Sequence, residues 1–247
     1  MKLVVQEAPA LKAAIDSIVS LVEEGVLDIK KDGIYLCAMD PSQISMVNFV
    51  MPKTAFLEYN IEEDRKLGVD IAQLSSVLSR GKRGEKAELT VEEGRLVIHF
   101  SLDKRKRTFK IPLLDISEST SRQPKIEFAS HVTIAADALK EALKDAKLVS
   151  SHVKFILEPH AFMVDVKGES SDARVEFEQG TPEVTEIKTP HGAKATFPLQ
   201  YVEDIMKAAS ASTQITINLE TDRPLKLEYE IEGAKVTYFL APRIESE

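Results

Sequence analysis

Apolar residues recur along this chain with two different periods. Four segments repeat every third or fourth position, which predicts amphipathic helices. The first runs over 8–24, where Leu11, Ile15, Ile18 and Val22 share a face and Gly25 is a plausible stop. The second runs over 70–80, with Ile71, Leu74 and Leu78 on one face, Asp70 as N-cap and Gly81 just past the end. The third covers 137–150, with Leu139, Ala142, Leu143 and Ala146, and the fourth covers 199–209, with Val202, Ile205, Met206 and Ala209. Most of the remainder reads as short strands. Stretches 88–91 and 96–102 form a hairpin around Glu92-Glu93-Gly94. Further strands are expected at 108–114, after a charged turn over 103–107, and at 132–134, 153–157, 162–167, 174–178, 215–219, 225–231 and 235–240. Short strands punctuated by four helices predict an α+β fold with antiparallel sheets.

The order of these elements repeats. Leu11-Lys12-Ala13-Ala14 and Leu139-Lys140-Glu141-Ala142 lie 128 residues apart, as do Leu67-Gly68-Val69-Asp70-Ile71 and Ala195-Thr196-Phe197-Pro198-Leu199. Arg107-Thr108-Phe109 and Val236-Thr237-Tyr238 close each half at an offset of 129. The letters differ but the pattern recurs, which predicts two similar domains. Between them the polar stretch from Asp115 to Lys125, rich in Ser and Thr and containing Pro124, has linker composition. The expected division is 1–115, a linker over 116–127, and 128–247.

Composition narrows the chemistry. The chain has 247 residues, is 43% hydrophobic, and carries a formal net charge of −8. Taken alone, that charge argues against nucleic-acid binding. The single cysteine, Cys37, sits in an apolar run and excludes a disulfide framework or a multi-Cys zinc site. The five histidines lack metal-ligand spacing. Arg80-Gly81-Lys82-Arg83-Gly84 lacks the GK[ST] ending of a phosphate loop. No signal peptide or membrane span is legible, and no catalytic constellation stands out. A cytoplasmic protein without metal, cofactor or enzymatic activity is expected.

The third helix sorts its charges. Lys140, Lys144 and Lys147 lie on one flank of the apolar face and Asp137, Glu141 and Asp145 on the other. Either six charges on a solvated helix sorted by accident, or the flanks meet different partners. In the second case the lysines meet phosphate as unpaired charges. The carboxylates then meet a basic patch such as Arg80, Lys82, Arg83 and Arg107. Across residues 9–22, 70–83, 137–150 and 199–210, which take in the helices and the turn after the second, there are eight basic and seven acidic residues, leaving −9 for the rest of the chain.

Four stretches carry a resemblance to a family. They are Asp32-Gly33-Ile34-Tyr35-Leu36-Cys37-Ala38-Met39-Asp40-Pro41-Ser42; Leu67-Gly68-Val69-Asp70 with the helix after it; Arg107-Thr108-Phe109-Lys110-Ile111-Pro112-Leu113-Leu114-Asp115; and Pro224-Leu225-Lys226-Leu227-Glu228-Tyr229, running on to Tyr238-Phe239-Leu240-Ala241-Pro242-Arg243-Ile244-Glu245. Together they resemble the sliding clamps of the proliferating cell nuclear antigen type, most closely the archaeal branch. The resemblance implies the DNA-clamp fold, in which three chains close head to tail into a ring. Helices line the hole, and double-stranded DNA passes through it without sequence readout. Such a clamp tethers DNA polymerase, the clamp loader and other PIP-box proteins, has no catalytic activity and no cofactor, and works in the cytoplasm at the nucleoid. A subunit of a heterotrimeric or checkpoint-type clamp remains an alternative.

The same resemblance implies three sets of residues. Lys12, Lys82, Arg83, Lys140, Lys144, Lys147 and Lys207 would face DNA, although Ser76 and Ser79 stand where basic residues are common. Met39, Ile44, Met46, Phe128, Pro224, Phe239, Leu240, Ala241 and Pro242 would form the partner-peptide pocket. Ser119, Ser121 and Gln123 replace the apolar residues usual in the linker, so peptide affinity would rest on the pocket. At the subunit interface the strand carrying Phe109 and Ile111 would pair with the one carrying Val175 and Phe177. There Asp137, Glu141 and Asp145 would face Arg80, Lys82 and Arg107 of the next copy.

Overall fold

Two units of one architecture succeed each other along the chain in the computed structural model, which describes residues 1–116 and 123–243. The expectations placed on Ser119, Ser121, Ile244 and Glu245 lie outside the described residues. The first unit contains β1 (Lys2–Val5), α1 (Ala8–Val19), β2 (Glu24–Lys30), β3 (Gly33–Met39), β4 (Ser45–Pro52), β5 (Glu58–Asn60), β6 (Arg65–Asp70), α2 (Ile71–Leu78), β7 (Lys86–Glu92), β8 (Arg95–Leu102) and β9 (Arg105–Pro112). The second contains β10 (His131–Ala135), α3 (Ala136–Lys147), β11 (His152–Glu158), β12 (Ala161–Lys167), β13 (Asp172–Glu178), β14 (Val184–Lys188), β15 (Ala193–Pro198), α4 (Leu199–Met206), β16 (Gln214–Asn218), β17 (Leu225–Ile231) and β18 (Ala234–Leu240). Two short segments cross over: residues 42–46 belong to the second unit and 230–236 to the first.

The repeat is visible element by element. Helix α1 and helix α3 differ by 128 residues at both ends, and so do α2 and α4. In the first unit, neighbouring strands run β5-β1-β7-β8-β9 and β4-β3-β2-β6. In the second they run β14-β10-β16-β17-β18 and β13-β12-β11-β15, the same order strand for strand. Within the second unit β18 is followed by the first residues of β4, and the Ala241 N–H donates to Ile44 O at 2.8 Å just beyond.

In each unit the helix pair packs on the strands through its apolar stripe. On α1, Leu11, Ala14, Ile15 and Ile18 are buried; on α3, Leu139, Ala142, Leu143 and Ala146 are. Burying each large aliphatic side chain contributes about 1.5–3 kcal/mol. The second unit centres on Phe155, whose ring lies 5.4 Å from Phe162 and 5.9 Å from Phe197. There the Tyr229 hydroxyl donates to Ile205 O at 2.9 Å, tying β17 to α4.

Several expectations are corrected. Helix α1 stops at Val19 rather than 24, because the Leu21 and Val22 N–H groups both return to Ile18 O. Val22 is buried in that turn, so the apolar period outruns the helix, and Gly25 belongs to β2. Asp70 does cap α2, accepting from the Gln73 N–H at 2.6 Å. Gly81 is not a left-handed cap; a Cβ there would sit 2.6 Å from Ala8 Cβ, so the glycine allows close approach to α1. The charged stretch 103–107 is only a tight turn at Asp103, after which Arg105, Lys106 and Arg107 already belong to β9. Strands β1 to β6, β14 and β15 have no counterpart in the sequence reading. Among the described residues no helix is long and apolar enough to cross a membrane.

Candidate functional sites on helices, pocket and sheet edges

Lys140, Lys144, Lys147 and Lys207 gather around one open depression between α3 and α4, as their shared helical face requires. Their charges are not unpaired, contrary to the expectation for this stripe. Lys144 pairs with Glu141, Lys207 with Asp204, and Lys147 Nζ lies 2.9 Å from Glu203. Side chains three positions apart on a helix face each other, so the two sorted stripes of α3 meet at Lys144 and Glu141. Lys140 departs furthest: its ammonium donates to Ala209 O rather than to a carboxylate, and burial lowers its pKa. In the first unit Lys12 pairs with Asp16, which also accepts from the Ser75 hydroxyl at 2.6 Å and so joins α1 to α2. Exposed pairs of this kind contribute about 0–1 kcal/mol, so phosphate can replace the carboxylate at small cost. Lys82 and Arg83 follow α2 with exposed side chains and have no ion-pair partner among the described residues.

The apolar set divides by burial. Phe239 and Leu240 are 4% and 1% exposed, members of the sheet core that can only floor a pocket. Met46 is buried with them, whereas Ile44, Phe128, Pro224, Ala241 and Pro242 are half-buried. The 2.8 Å bond from the Ala241 N–H to Ile44 O joins two stretches of this set in the second unit. Met39, in the first unit, is 38% exposed. Gln123, the described end of the linker's polar series, is exposed.

Strands β9 and β13 each end a sheet. Along β9, Arg105, Lys106 and Lys110 are exposed, and along β13 Asp172, Glu176 and Glu178 are. Phe109 and Phe177 are half-buried, Phe109 against Phe100 at 5.8 Å and Phe177 stacked on Phe162 at 6.2 Å; Val175 is also half-buried and Ile111 fully buried. On α3, Asp137, Glu141 and Asp145 are exposed. Arg80 is exposed too, and Arg107 is half-buried. Its guanidinium is held in its own unit, paired with buried Glu85, donating to Arg80 O at 2.8 Å and lying 5.2 Å from the Phe100 ring centre. Burial alone would raise the Glu85 pKa, but the Lys82 N–H and Arg107 hold it below the usual carboxylate range. Sequence reading missed Glu85, Glu203 and Asp204, because ordinary-looking carboxylates carry no signal of which cation they meet.

Comparisons with known proteins agree on one family. Residues 1–119 match the N-terminal domain of proliferating cell nuclear antigen, and residues 122–244 match its C-terminal domain. A DNA polymerase sliding clamp of Methanococcus maripaludis is 35% identical over 241 residues, covering 95% of this chain and 96% of the relative. Proliferating cell nuclear antigen from Thermococcus kodakaraensis superposes with a TM-score of 0.93 at 25% identity, over 98% of this chain and 99% of the other. That of A. fulgidus, solved with the C-terminal region of FEN-1 bound, superposes with a TM-score of 0.88 at 28% identity, over 100% and 99% of the two chains.

Proposed function

The chain belongs to the proliferating cell nuclear antigen family, and from that premise we propose that it is a DNA sliding clamp, a ring of three copies that encircles duplex DNA and tethers replication and repair enzymes. The observation that carries this reading is the state of two sheet edges. By position in the repeat, β9 is the counterpart of β18, and β13 is the counterpart of β4. Strands β18 and β4 are neighbours within one chain, whereas β9 and β13 end their sheets. A second copy completes the pattern by laying its β13 along β9, and repetition of that step head to tail closes a ring. The exposed Arg105, Lys106 and Lys110 on one strand and Asp172, Glu176 and Glu178 on the other favour this pairing over pairing of like edges. Asp137, Glu141 and Asp145 of one copy then extend the same contrast toward Arg80 and Lys82 of the next. Both complementary edges belong to this one chain, which supports a homotrimer.

In such a ring the lysines of α3 and α4, with Lys12, Lys82 and Arg83, meet the duplex backbone. Lys12, Lys144, Lys147 and Lys207 bind phosphate by exchange of weak ion pairs, and none of the set makes base contacts. This is a catalyst-free role: binding is loose, salt-sensitive and indifferent to sequence, as sliding requires. DNA polymerase, the clamp loader and other PIP-box partners dock an apolar anchor at Ile44, Pro224, Ala241 and Pro242, over the floor of Phe239 and Leu240. Retention on DNA tests the proposal. Loaded onto a nicked circle, the protein should stay bound through gel filtration and be lost within minutes of linearisation; equal loss from both forms would refute encirclement.

A further inference from the structure

The second unit holds an open cavity of about 370 Å³ over β11, β12 and β15 that the clamp reading leaves without a role. Lys154, Lys167, Lys194 and Arg243 line it beside His152, and Asp165 is its one acid. That carboxylate is buried and accepts from Arg174 Nε at 2.7 Å. Four cationic side chains thus converge in a chain whose net charge is −8.

The cavity is not a by-product of the repeat. At the offset of 128, the first unit places Val26 where the second has Lys154, Met39 where it has Lys167, and Glu24 where it has His152. The backbone frame is the same in both: the Leu114 N–H donates to Gly68 O at 2.8 Å, as the Arg243 N–H donates to Thr196 O at 2.7 Å. Leu114 is therefore the counterpart of Arg243, and only Lys66, opposite Lys194, keeps its charge. At three of these positions the frame carries Val26, Met39 and Leu114 in the first unit and the cations Lys154, Lys167 and Arg243 in the second.

The position of Arg243 says what this charge can meet. Residues 241–243 form one stretch that bonds on one side to Ile44 O, through Ala241, and on the other to Thr196 O at the cavity. A peptide seated on Ile44, Ala241 and Pro242 therefore has one flank beside the cavity. We propose that this cavity is an anion subsite that receives an acidic segment flanking the apolar anchor of the docked partner peptide. The inference rests on the peptide-docking reading above and adds its specificity: partners with Asp or Glu beside the anchor are preferred. An Arg at the rim offers a two-pronged donor to a carboxylate, and the three lysines add point charges. Burial, and then the nearby Arg243, hold His152 below its usual pKa, so a bound carboxylate should raise it.

Calorimetry on the assembled protein tests this with two synthetic peptides that share one apolar-aromatic anchor, one flanked by glutamates and one by glutamines. The acidic peptide should bind about tenfold tighter at low salt. That advantage should vanish in Lys167→Gln/Lys194→Gln/Arg243→Gln and fade at about 1 M salt, while the neutral peptide binds wild type and variant alike. Equal affinities on wild type, or an advantage that survives the triple variant, overturn the subsite alone. Failure of the neutral peptide to bind at all overturns the docking reading, and the subsite with it.

Discussion

Glu85 and Arg107 show how a single pair sets the geometry of a surface. Glu85 is 3% exposed, and its carboxylate accepts from the Lys82 N–H at 2.8 Å while pairing with Arg107. The turn that presents Arg80, Lys82 and Arg83 is thereby pinned from beneath by a residue of β9. Removing one member strands the other's charge, so Arg107→Ala should lower stability by about 3 kcal/mol in denaturant unfolding. The pH dependence has a definite sign. A carboxylate depressed in the folded state contributes fully above its unfolded value of about 4.3 and loses that contribution as pH falls through the folded one. Glu85→Gln should therefore flatten the acid limb of the stability profile while leaving its slope near pH 7 unchanged. At the pocket, burial separates two kinds of residue. Ile44→Glu should abolish peptide binding in calorimetry with an unchanged melting temperature. Phe239→Ala should lower the melting temperature as well, because truncating a buried aromatic costs about 3–5 kcal/mol.

At the scale of elements, the helices were legible and many strands were not. Helical period, the Asp70 cap and the 128-residue offset located all four helices, because each buries one apolar face with little competition from neighbours. Strand β2 escaped because the apolar stripe of α1 continues through Val22 past the helix's own end and up to the start of the strand. The sorting of charge on α3 was also legible, but the acids meeting Lys147 and Lys207 come from Glu203 and Asp204, and no local pattern marks them. These pairs make the helix face a screened one, so its lysines act collectively. Lys144→Gln/Lys147→Gln/Lys207→Gln should weaken binding to all duplex sequences equally and reduce the slope of log affinity against log salt by about one for each phosphate no longer neutralised. A weakening confined to particular sequences would mean that these lysines read bases. Lys140→Gln, by contrast, should change stability more than DNA affinity, since its ammonium is bonded to Ala209 O.

For the whole molecule, the net charge of −8 loses its first meaning. Charge averaged over a chain says little when its surfaces have separate tasks. The helix face gathers lysines, β9 is basic, β13 is acidic, and the cavity of the second unit is basic again. The internal repeat explains why two edges remain: β9 repeats β18 and β13 repeats β4, so each is left with the pairing that its counterpart already makes. Strands β4 and β18 are nearly devoid of charge, whereas β9 and β13, left for a second copy, are both charged. An assembly closed through charged edges should open more readily in salt than either unit unfolds. Lys106→Glu/Lys110→Glu should therefore disrupt assembly, and Glu176→Lys/Glu178→Lys in the same chain should restore it.

The native mass of the isolated chain, followed through dilution and increasing salt, bears most directly on the central claim. A mass near three times 27.4 kDa at low salt, falling to a single chain as salt rises, is the expected result. A mass of one chain at every concentration and ionic strength would contradict it.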